Sequence, residues 1–229
     1  MCGVGHPYVL LSAAVSLDGH LDDAGPARLL LSNDEDFDRV DALRAESDAI
    51  LVGAGTIRAD NPRLTVRSPQ RRAERVARGL PEHPVKVALS GGGELDPGLN
   101  FWHHGGAKLV YSTSAGTAKL RPSLAGLAEV VDLGEPGAGA GVELGAVLHD
   151  LAGRGVRRLM VEGGGRVHTA FLAAGLADEL VLAVAPVLVG DERAARFLYP
   201  AGYPAGRLRL VEVRAVGDMA LLRYVLSTR

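Results

Sequence analysis

The sequence predicts one α/β domain whose mainly parallel sheet is covered by helices on both faces. Short apolar runs alternate with stretches of helical periodicity, which favours a parallel sheet built from strand, helix and strand units. Most of these runs lack polar alternation, which is typical of strands buried on both faces. The 229 residues are 47% hydrophobic, and no linker-like break or internal repeat divides them. We therefore expect a single domain over residues 1–229.

The strands are predicted from apolar runs that are too short for long helices and that end at turn residues. In chain order they cover residues 9–16, 49–53, 85–89, 108–111, 130–133, 158–161, 179–186, 208–216 and 219–226. The last two runs flank Gly217-Asp218, which predicts an antiparallel hairpin at the end of the sheet.

The helices are predicted where apolar residues recur every three or four positions. Residues 33–46 show this spacing after a candidate N-cap, Ser32 or Asn33, and residues 142–154 carry four apolar side chains on one face. Further helical stretches are predicted over residues 55–62 and 164–174. Residues 69–84 are rich in Arg and bracketed by Pro, so we expect a solvated connection there.

The composition excludes several classes of function. A net charge of -2 and 4% aromatic residues give neither the basic surface nor the stacking platform of a nucleic-acid binder. The apolar runs are too short to cross a bilayer. Cys2 is the only cysteine and the seven histidines lack ligand spacing, so we expect no disulfide and no metal. Because no signal-peptide pattern is found, the chain is predicted to be cytoplasmic. The balanced charge and low aromatic content favour a small anionic ligand over a nucleic acid.

The motif Glu162-Gly-Gly-Gly lies between a predicted strand and a predicted helix. Ligands of open α/β sheets bind beyond the carboxyl ends of the strands. Glycines there leave the backbone N–H groups of a helix N-terminus accessible to a phosphate or pyrophosphate. The motif matches neither the P-loop nor the spacing of classical dinucleotide folds, and a plain strand-to-helix turn is the alternative.

A second motif runs from Gly53 to Arg67, after another predicted strand. It combines glycines with the hydroxyl of Thr56, the carboxylate of Asp60 and the guanidinium groups of Arg63 and Arg67. Guanidinium groups beside a carboxylate suit a site that binds a phosphate and also contacts a polar ring. A common Asp-Asn-Pro turn is the alternative at Asp60.

Three stretches resemble the reductase domain of the RibD riboflavin-biosynthesis family: Ser16-Leu-Asp-Gly, residues 43–67, and Glu162-Gly-Gly with Phe171-Leu and Asp178-Glu-Leu. The resemblance spans nearly the whole chain. It implies the dihydrofolate reductase-like fold, NADPH as cofactor, and reduction of the ribose of 5-amino-6-(5-phosphoribosylamino)uracil to a ribityl chain. It also implies a homodimer, for which the apolar C-terminal strands are a candidate face. The zinc deaminase signature of two-domain members is absent, so we expect a stand-alone reductase.

The resemblance and the motifs together select the site residues. Those predicted to contact the cofactor are Ala14, Gly53, Thr56, Asp60, Ser90, Gly163, Gly164, Gly165, Arg166 and Val167. Those predicted to contact the substrate are Arg44, Leu64, Arg67 and Glu162. Ser12, Ala27, Arg28 and Leu29 depart from the family pattern, which leaves the exact substrate open.

The catalytic residues are predicted to be Asp60 and Glu162, two carboxylates around one pocket. Two carboxylates in such a site do not both ionise readily, so one is expected to donate a proton. Asp60 is expected nearer to hydride transfer, with Glu162 as the substrate anchor. NADPH is expected over NADH because Ser90 and Ser112-Thr-Ser end their strands without an acidic residue.

Two other functions stay open at this point. One is a dihydrofolate reductase-like enzyme that reduces a pterin or another heterocyclic imine. The other is a catalytically silent nucleotide-binding protein that retains the glycine loop. Fold alone does not separate these functions from the first.

Overall fold

The computed structural model describes residues 5–25, 27–135 and 141–226. The strands are β1 (Tyr8–Val15), β2 (Ala49–Gly53), β3 (Val85–Leu89), β4 (Lys108–Ser112), β5 (Glu129–Asp132), β6 (Arg158–Gly163), β7 (Glu179–Val184), β8 (Arg209–Val216) and β9 (Met219–Val225). The helices are α1 (Asp34–Glu46), α2 (Ala54–Asp60), α3 (Pro69–Ala77), α4 (Asn100–His103), α5 (Ser114–Ser123), α6 (Leu144–Gly153) and α7 (Gly165–Ala173). The strands are hydrogen-bonded in the order β5-β4-β3-β2-β6-β1-β7-β9-β8. This confirms the predicted, mostly parallel sheet.

The chain forms two compact units that interleave along the sequence. Unit 1 comprises Met1–Tyr8 and Asp41–Met160, and unit 2 comprises Val9–Val40 and Val161–Arg229. Within the described residues, no helix has the length and apolar character needed to span a bilayer. The expectation of one functional domain over residues 1–229 stays a prediction.

Unit 1 holds parallel strands β2 to β5 and their helices. Gly53 at the end of β2 is in register with Leu89 at the end of β3, so both strands end at the same level. A buried apolar cluster joins these strands to α2, α4 and α5, and its largest members are Phe101 and Trp102. Their rings meet edge to face with centroids 4.7 Å apart, a favourable aromatic geometry.

Unit 2 holds the C-terminal hairpin that the turn at Gly217-Asp218 predicts. β1 pairs with β7 in parallel, and β9 pairs antiparallel with both β7 and β8. β8 is the last strand of the order and exposes Leu210, Val211 and Val213. The side chain of Asn33 accepts a hydrogen bond from the N–H of Asp36 at 2.9 Å, so Asn33 caps α1 as one of the two predicted candidates.

The prediction of a solvated connection over residues 69–84 is right for the exposure of most of these residues but wrong in missing a helix and a buried arginine. Residues Pro69–Ala77 form α3, with Ser68 as N-cap and Pro69 in the first turn, where Pro is well tolerated. Arg75 is 1% exposed, and its guanidinium donates to the carbonyl oxygens of Ala45, Ser47 and Pro81 at 2.8 Å each. The Arg-rich composition indicates solvent exposure, but these three carbonyl acceptors allow the charged group to be buried.

Other differences are small. β6 continues to Gly163, so Glu162 lies within the strand rather than after it. The helices α4 and α5 have no counterpart among the predicted helices. The predicted loop over residues 135–141 lies mostly outside the described residues, as does Cys2.

Candidate functional site

Unit 1 holds four of the predicted cofactor residues, three of them at the ends of two neighbouring strands. Gly53 ends β2 and is the N-cap of α2, which has no side-chain cap. Thr56 lies in the first turn of α2 and Asp60 is its last residue. Ser90 follows β3, the parallel neighbour of β2, and is buried. Thus Gly53, Thr56 and Ser90 lie at the carboxyl ends of parallel strands, whereas Asp60 lies one helix length further along.

Residues 61–68, which we call the arginine segment, follow Asp60 with an irregular backbone. Asn61 and Leu64 have positive φ angles of 43° and 46°. Such angles are uncommon for residues other than Gly and concentrate at functional sites. The side chain of Leu64 is 5% exposed and belongs to the apolar core of unit 1. Leu64 therefore anchors the segment in the core, and its predicted contact with substrate stays a prediction.

The structure brings the predicted substrate residues Arg44, Leu64 and Arg67 together. Arg44 lies in the last turn of α1, and its guanidinium donates to the carbonyl oxygen of Thr65 at 3.2 Å. One turn earlier, the carboxylate of Asp41 accepts hydrogen bonds from the N–H groups of Arg67 and Ser68. Arg44 is half-buried and contacts the arginine segment through Thr65, whereas Arg67 belongs to the segment and is exposed. Guanidinium groups are side chains that suit an anion.

Further side chains hold the arginine segment, and sequence reasoning missed them. Arg72 of α3 donates to the carbonyl oxygens of Val66 and Arg67 at 3.2 and 2.8 Å. His83 accepts a hydrogen bond from the N–H of Val66 at 3.2 Å through Nδ1. These residues lie far from a recognisable motif, and only the folding of α3 and β3 against the segment reveals them.

Lys86 of β3 is the most deeply buried of these groups. Its Nζ donates to the carbonyl oxygens of Arg63 and Phe101 and lies 4.5 Å from the centre of the Phe101 ring. Burial, followed by the charge of Lys108, lowers the pKa of Lys86 to about 7. The amine thus ties the arginine segment to α4.

The loops that follow β3 and β4 pack closely on each other. The hydroxyl of Ser112 donates to the carbonyl oxygen of Ser90 at 2.5 Å, and that of Thr113 donates to Gly91 at 2.8 Å. These hydroxyls shape the loop after β3. Positive charge reaches this loop from two side chains: Lys119 donates to the carbonyl oxygen of Gly92 at 3.2 Å, and Arg58 donates to that of Glu94 at 2.9 Å.

Unit 2 contains the predicted glycine loop. Glu162 is half-buried in β6, which ends at Gly163. Gly164 has a φ of 75° and is the N-cap of α7, which begins at Gly165 without a side-chain cap. The first N–H groups of a helix have no partner within the helix, so such an uncapped N-terminus suits an anion. The half-buried Ala14 lies in β1, and Arg166 and Val167 continue the first turn of α7.

Two positions of this loop also require glycine for structural reasons. Gly164 adopts a positive φ, which favours Gly. A Cβ atom at Gly165 would lie 1.8 Å from the carbonyl oxygen of Arg196, so no larger residue fits there without backbone movement. The N–H of Tyr199 donates to the hydroxyl of Thr169 at 3.0 Å, which holds the segment after Arg196 on α7. The turn and the anion site are therefore compatible explanations of the same glycines.

His168 is a buried group next to this loop. Its ring nitrogens have no hydrogen-bond partner among the described residues, and the ring lies 5.2 Å from that of Phe197. Desolvation lowers the pKa of His168 to about 4, so the ring is neutral near pH 7. Across the described chain, no group of three or more His, Cys, Asp or Glu side chains is arranged to hold a metal ion.

The two carboxylates predicted to be catalytic lie in different units, Asp60 in unit 1 and Glu162 in unit 2. Their sharing of one pocket stays a prediction.

Comparison with known families identifies the family of this chain. The sequence model of the RibD C-terminal domain matches residues 7–222, nearly the whole chain. The chain belongs to the RibD C-terminal domain family. The family predicted from the sequence motifs is thereby confirmed, and with it the prediction that the protein is an oxidoreductase, a reductase of riboflavin biosynthesis.

Two curated relatives support this membership along most of their length. A protein of Archaeoglobus fulgidus is 40% identical over 185 residues, which cover 80% of this chain and 82% of the relative. A protein of Methanothermobacter thermautotrophicus is 32% identical over 225 residues, which cover 96% and 99%. Both are named 2,5-diamino-6-ribosylamino-4(3H)-pyrimidinone 5′-phosphate reductase.

The fold of the RibD C-terminal domain is shared with solved structures. A pyrimidine reductase-like protein of Corynebacterium diphtheriae superposes with a TM-score of 0.77 at 22% identity, covering 97% of this chain and 93% of that one. This likeness confirms the predicted fold class. A reductase of this family acts on a small phosphorylated pyrimidine, and its membership among reductases implies a nicotinamide cofactor.

Proposed function

We propose that this reductase uses NADPH to reduce the ribosyl group of 2,5-diamino-6-ribosylamino-4(3H)-pyrimidinone 5′-phosphate to a ribityl group. The names of the two relatives that match most of their length support this substrate. The single structural observation that carries the proposal is the contact of Arg44 from α1 with the arginine segment, which itself contains Arg67.

The substrate phosphate is assigned to Arg44 and Arg67. A guanidinium presents a planar fork of donors that matches the oxygens of a phosphate. Lys occurs in the whole chain only at positions 86, 108 and 119, so arginines dominate the available cations. Leu64, with its left-handed backbone, precedes Arg67 in the same segment, which supports a polar contact from its peptide groups.

The residues of this chain suit a nicotinamide dinucleotide. The uncapped N-terminus of α7 after Gly164 would hold its pyrophosphate, and Ala14, Thr56 and Asp60 are assigned to its nicotinamide side. Arg58 and Lys119 flank the loop after β3 and would favour a 2′-phosphate through their charge. When bound, NADPH supplies the hydride that reduces C1 of the ribose.

The side chains of the protein align the substrate, and a carboxyl group is proposed to donate one proton. Ring opening of the glycosylamine gives an imine-like bond between C1 and nitrogen, and its reduction adds a hydride at C1 and a proton at the nitrogen. Asp60 is proposed as the carboxyl group nearest to this step, and Glu162 as an anchor for the substrate. Alignment of the reacting groups supplies the rest of the rate enhancement.

An NADPH-oxidation assay tests the proposal directly. We expect the fastest turnover with the diaminopyrimidinone phosphate, slower turnover with 5-amino-6-(5-phosphoribosylamino)uracil, and none with dihydrofolate. Faster turnover of the aminouracil would replace the proposed substrate by the one that the sequence resemblance implies. Turnover of dihydrofolate alone would indicate the pterin reductase instead. Tight NADPH binding without turnover of any of the three would indicate the catalytically silent protein.

Cofactor preference is tested by calorimetric titration with NADPH and NADH. We expect tighter binding of NADPH, and a loss of this preference in Arg58→Met and Lys119→Met, because both variants remove positive charge beside the loop after β3. Equal or tighter binding of NADH would contradict the assignment of NADPH.

We further propose that the protein works in the cytoplasm as a homodimer. The exposed Leu210, Val211 and Val213 of β8 support an apolar self-association face. Light scattering at micromolar concentration is expected to give twice the chain mass, and Val213→Lys to lower it. A monomeric mass for the unmodified chain would remove the dimer.

A further inference from the structure

The backbone of Arg67 is held on both sides by charged side chains. Its N–H group donates to the carboxylate of Asp41, and its carbonyl oxygen accepts from the guanidinium of Arg72 at 2.8 Å. Both partners come from helices, Asp41 from α1 and Arg72 from α3. With both peptide groups fixed, the direction in which the Arg67 side chain leaves the backbone is fixed as well.

Asp41 is built into this position rather than resting on the surface. It is 4% exposed, and its second oxygen accepts from the N–H of Ser68 at 3.1 Å and from the guanidinium of Arg71 at 3.0 Å. Two successive N–H groups and one cation therefore converge on one buried carboxylate. Because the carboxylate of Asp41 lies beside the N-terminus of α3 and would repel a second anion there, the substrate phosphate is assigned to the side chain of Arg67 rather than to the end of that helix.

We propose that Asp41 and Arg72 are positioning residues that aim the Arg67 side chain at the substrate phosphate. This inference rests on the proposed function, in which Arg67 binds that phosphate. A rival explanation is that Asp41 only stabilises α3 as an anion at its N-terminus. The two explanations differ in whether the loss of Asp41 weakens the binding of the substrate phosphate.

The test compares kcat/KM for the phosphorylated substrate with kcat/KM for the same compound after removal of the phosphate. We expect Asp41→Asn and Arg72→Met each to lower this ratio about tenfold, mainly through KM for the phosphorylated compound. kcat and the affinity for NADPH are expected to stay within about twofold. Arg72 is half-buried, so its variant keeps the test available if Asp41→Asn folds poorly.

The matched control is Asp36→Asn. Asp36 is also a buried aspartate of α1 that accepts from an arginine, Arg39 at 2.8 Å, but its other oxygen accepts from the hydroxyl of Ser32 at 2.6 Å and not from the arginine segment. This variant is expected to lower the melting temperature by an amount similar to Asp41→Asn and to leave the phosphate ratio unchanged.

Combination with Arg67→Ala decides the matter. In that background, Asp41→Asn and Arg72→Met are expected to have no further effect on the ratio, because they act through Arg67. An undiminished effect, or equal losses with both substrates, would overturn the positioning role alone. If Arg67→Ala itself leaves the ratio unchanged, the phosphate assignment under the proposed function falls, and the positioning role falls with it.

Discussion

The arginine segment of unit 1 and the glycine loop of unit 2 are the two regions proposed to bind anions, and they are built in opposite ways. In the arginine segment, side chains from α1, α3 and β3 hold the backbone by hydrogen bonds. In the glycine loop, the backbone is the proposed binding group, and the absence of side chains at Gly164 and Gly165 allows its path. The first region therefore depends on charge and hydrogen bonding, and the second depends on space.

This difference predicts how each region fails. A region held by ionisable side chains is expected to respond to pH and to changes of charge. A region held by close backbone contact is expected to respond to the addition of a single carbon atom. Four experiments test this contrast, from the largest expected effect to the smallest.

Gly165→Ala is expected to have the largest effect. Its Cβ would lie 1.8 Å from the carbonyl oxygen of Arg196, and backbone atoms do not move away cheaply. We expect a loss of about 3 kcal/mol or more in the free energy of unfolding, together with weaker NADPH binding. Denaturant unfolding and calorimetric titration measure the two effects. The control is Gly153→Ala in α6, where a Cβ meets open space and stability should stay equal or rise.

Arg67→Lys keeps the charge of the arginine segment but loses the planar fork. Substrate binding is expected to weaken by about 1–3 kcal/mol, with NADPH affinity little changed. KM for the substrate and a separate NADPH titration give the two numbers. An equal loss of NADPH affinity would mean that Arg67 contacts the cofactor instead. The control is Arg121→Lys at an exposed position of α5, which should change neither affinity.

Asp60→Asn and Glu162→Gln remove one carboxylate from each unit. We expect Asp60→Asn to slow single-turnover hydride transfer more than about tenfold, roughly 1.4 kcal/mol, and Glu162→Gln to act mainly on substrate binding. The measurement is rapid mixing of the NADPH-loaded enzyme with substrate across pH. Less than tenfold slowing in both variants would show that neither carboxylate is an essential proton donor.

Lys86→Met tests the pH sensitivity of the arginine segment. Burial lowers the pKa of Lys86 from its ordinary 10.5 to about 7, so between these values the unfolded chain binds a proton that the folded chain does not. The free energy of unfolding should therefore rise with pH in this window, by roughly 1 kcal/mol per pH unit from this group. Lys86→Met is expected to flatten the rise.

Urea unfolding at pH 7, 8 and 9 measures this slope for each variant. Lys119→Met, at an exposed lysine, is the control and should retain the slope of the unmodified chain. An unchanged slope in Lys86→Met would mean that the arginine segment does not carry this pH dependence.

Much of the fold was predictable because its signals are local. The apolar runs of β2 and β3 end at turn residues, and Gly217-Asp218 defines the hairpin. Local composition misled at residues 69–77, because the carbonyl groups that accept from the buried Arg75 belong mostly to the end of α1.

The candidate site was predictable where a motif carries it. Thr56, Asp60 and the glycines of unit 2 stand in recognisable stretches of sequence. Asp41 and Arg72 do not, because each gains its role only when α1 and α3 fold against the arginine segment. A long-range hydrogen bond from a buried carboxylate leaves no periodic or compositional trace in the sequence.

The contact between Gly93 and Gly116 constrains how this enzyme can be redesigned. A Cβ at Gly93 would lie 2.6 Å from the carbonyl oxygen of Gly116, and a Cβ at Gly116 would lie 2.2 Å from the hydroxyl oxygen of Ser112. Gly116 lies in the first turn of α5, so the loop after β3 and the start of α5 pack against each other. Libraries that randomise either segment alone are expected to yield mostly misfolded clones, whereas grafting both segments together from one donor protein preserves their fit.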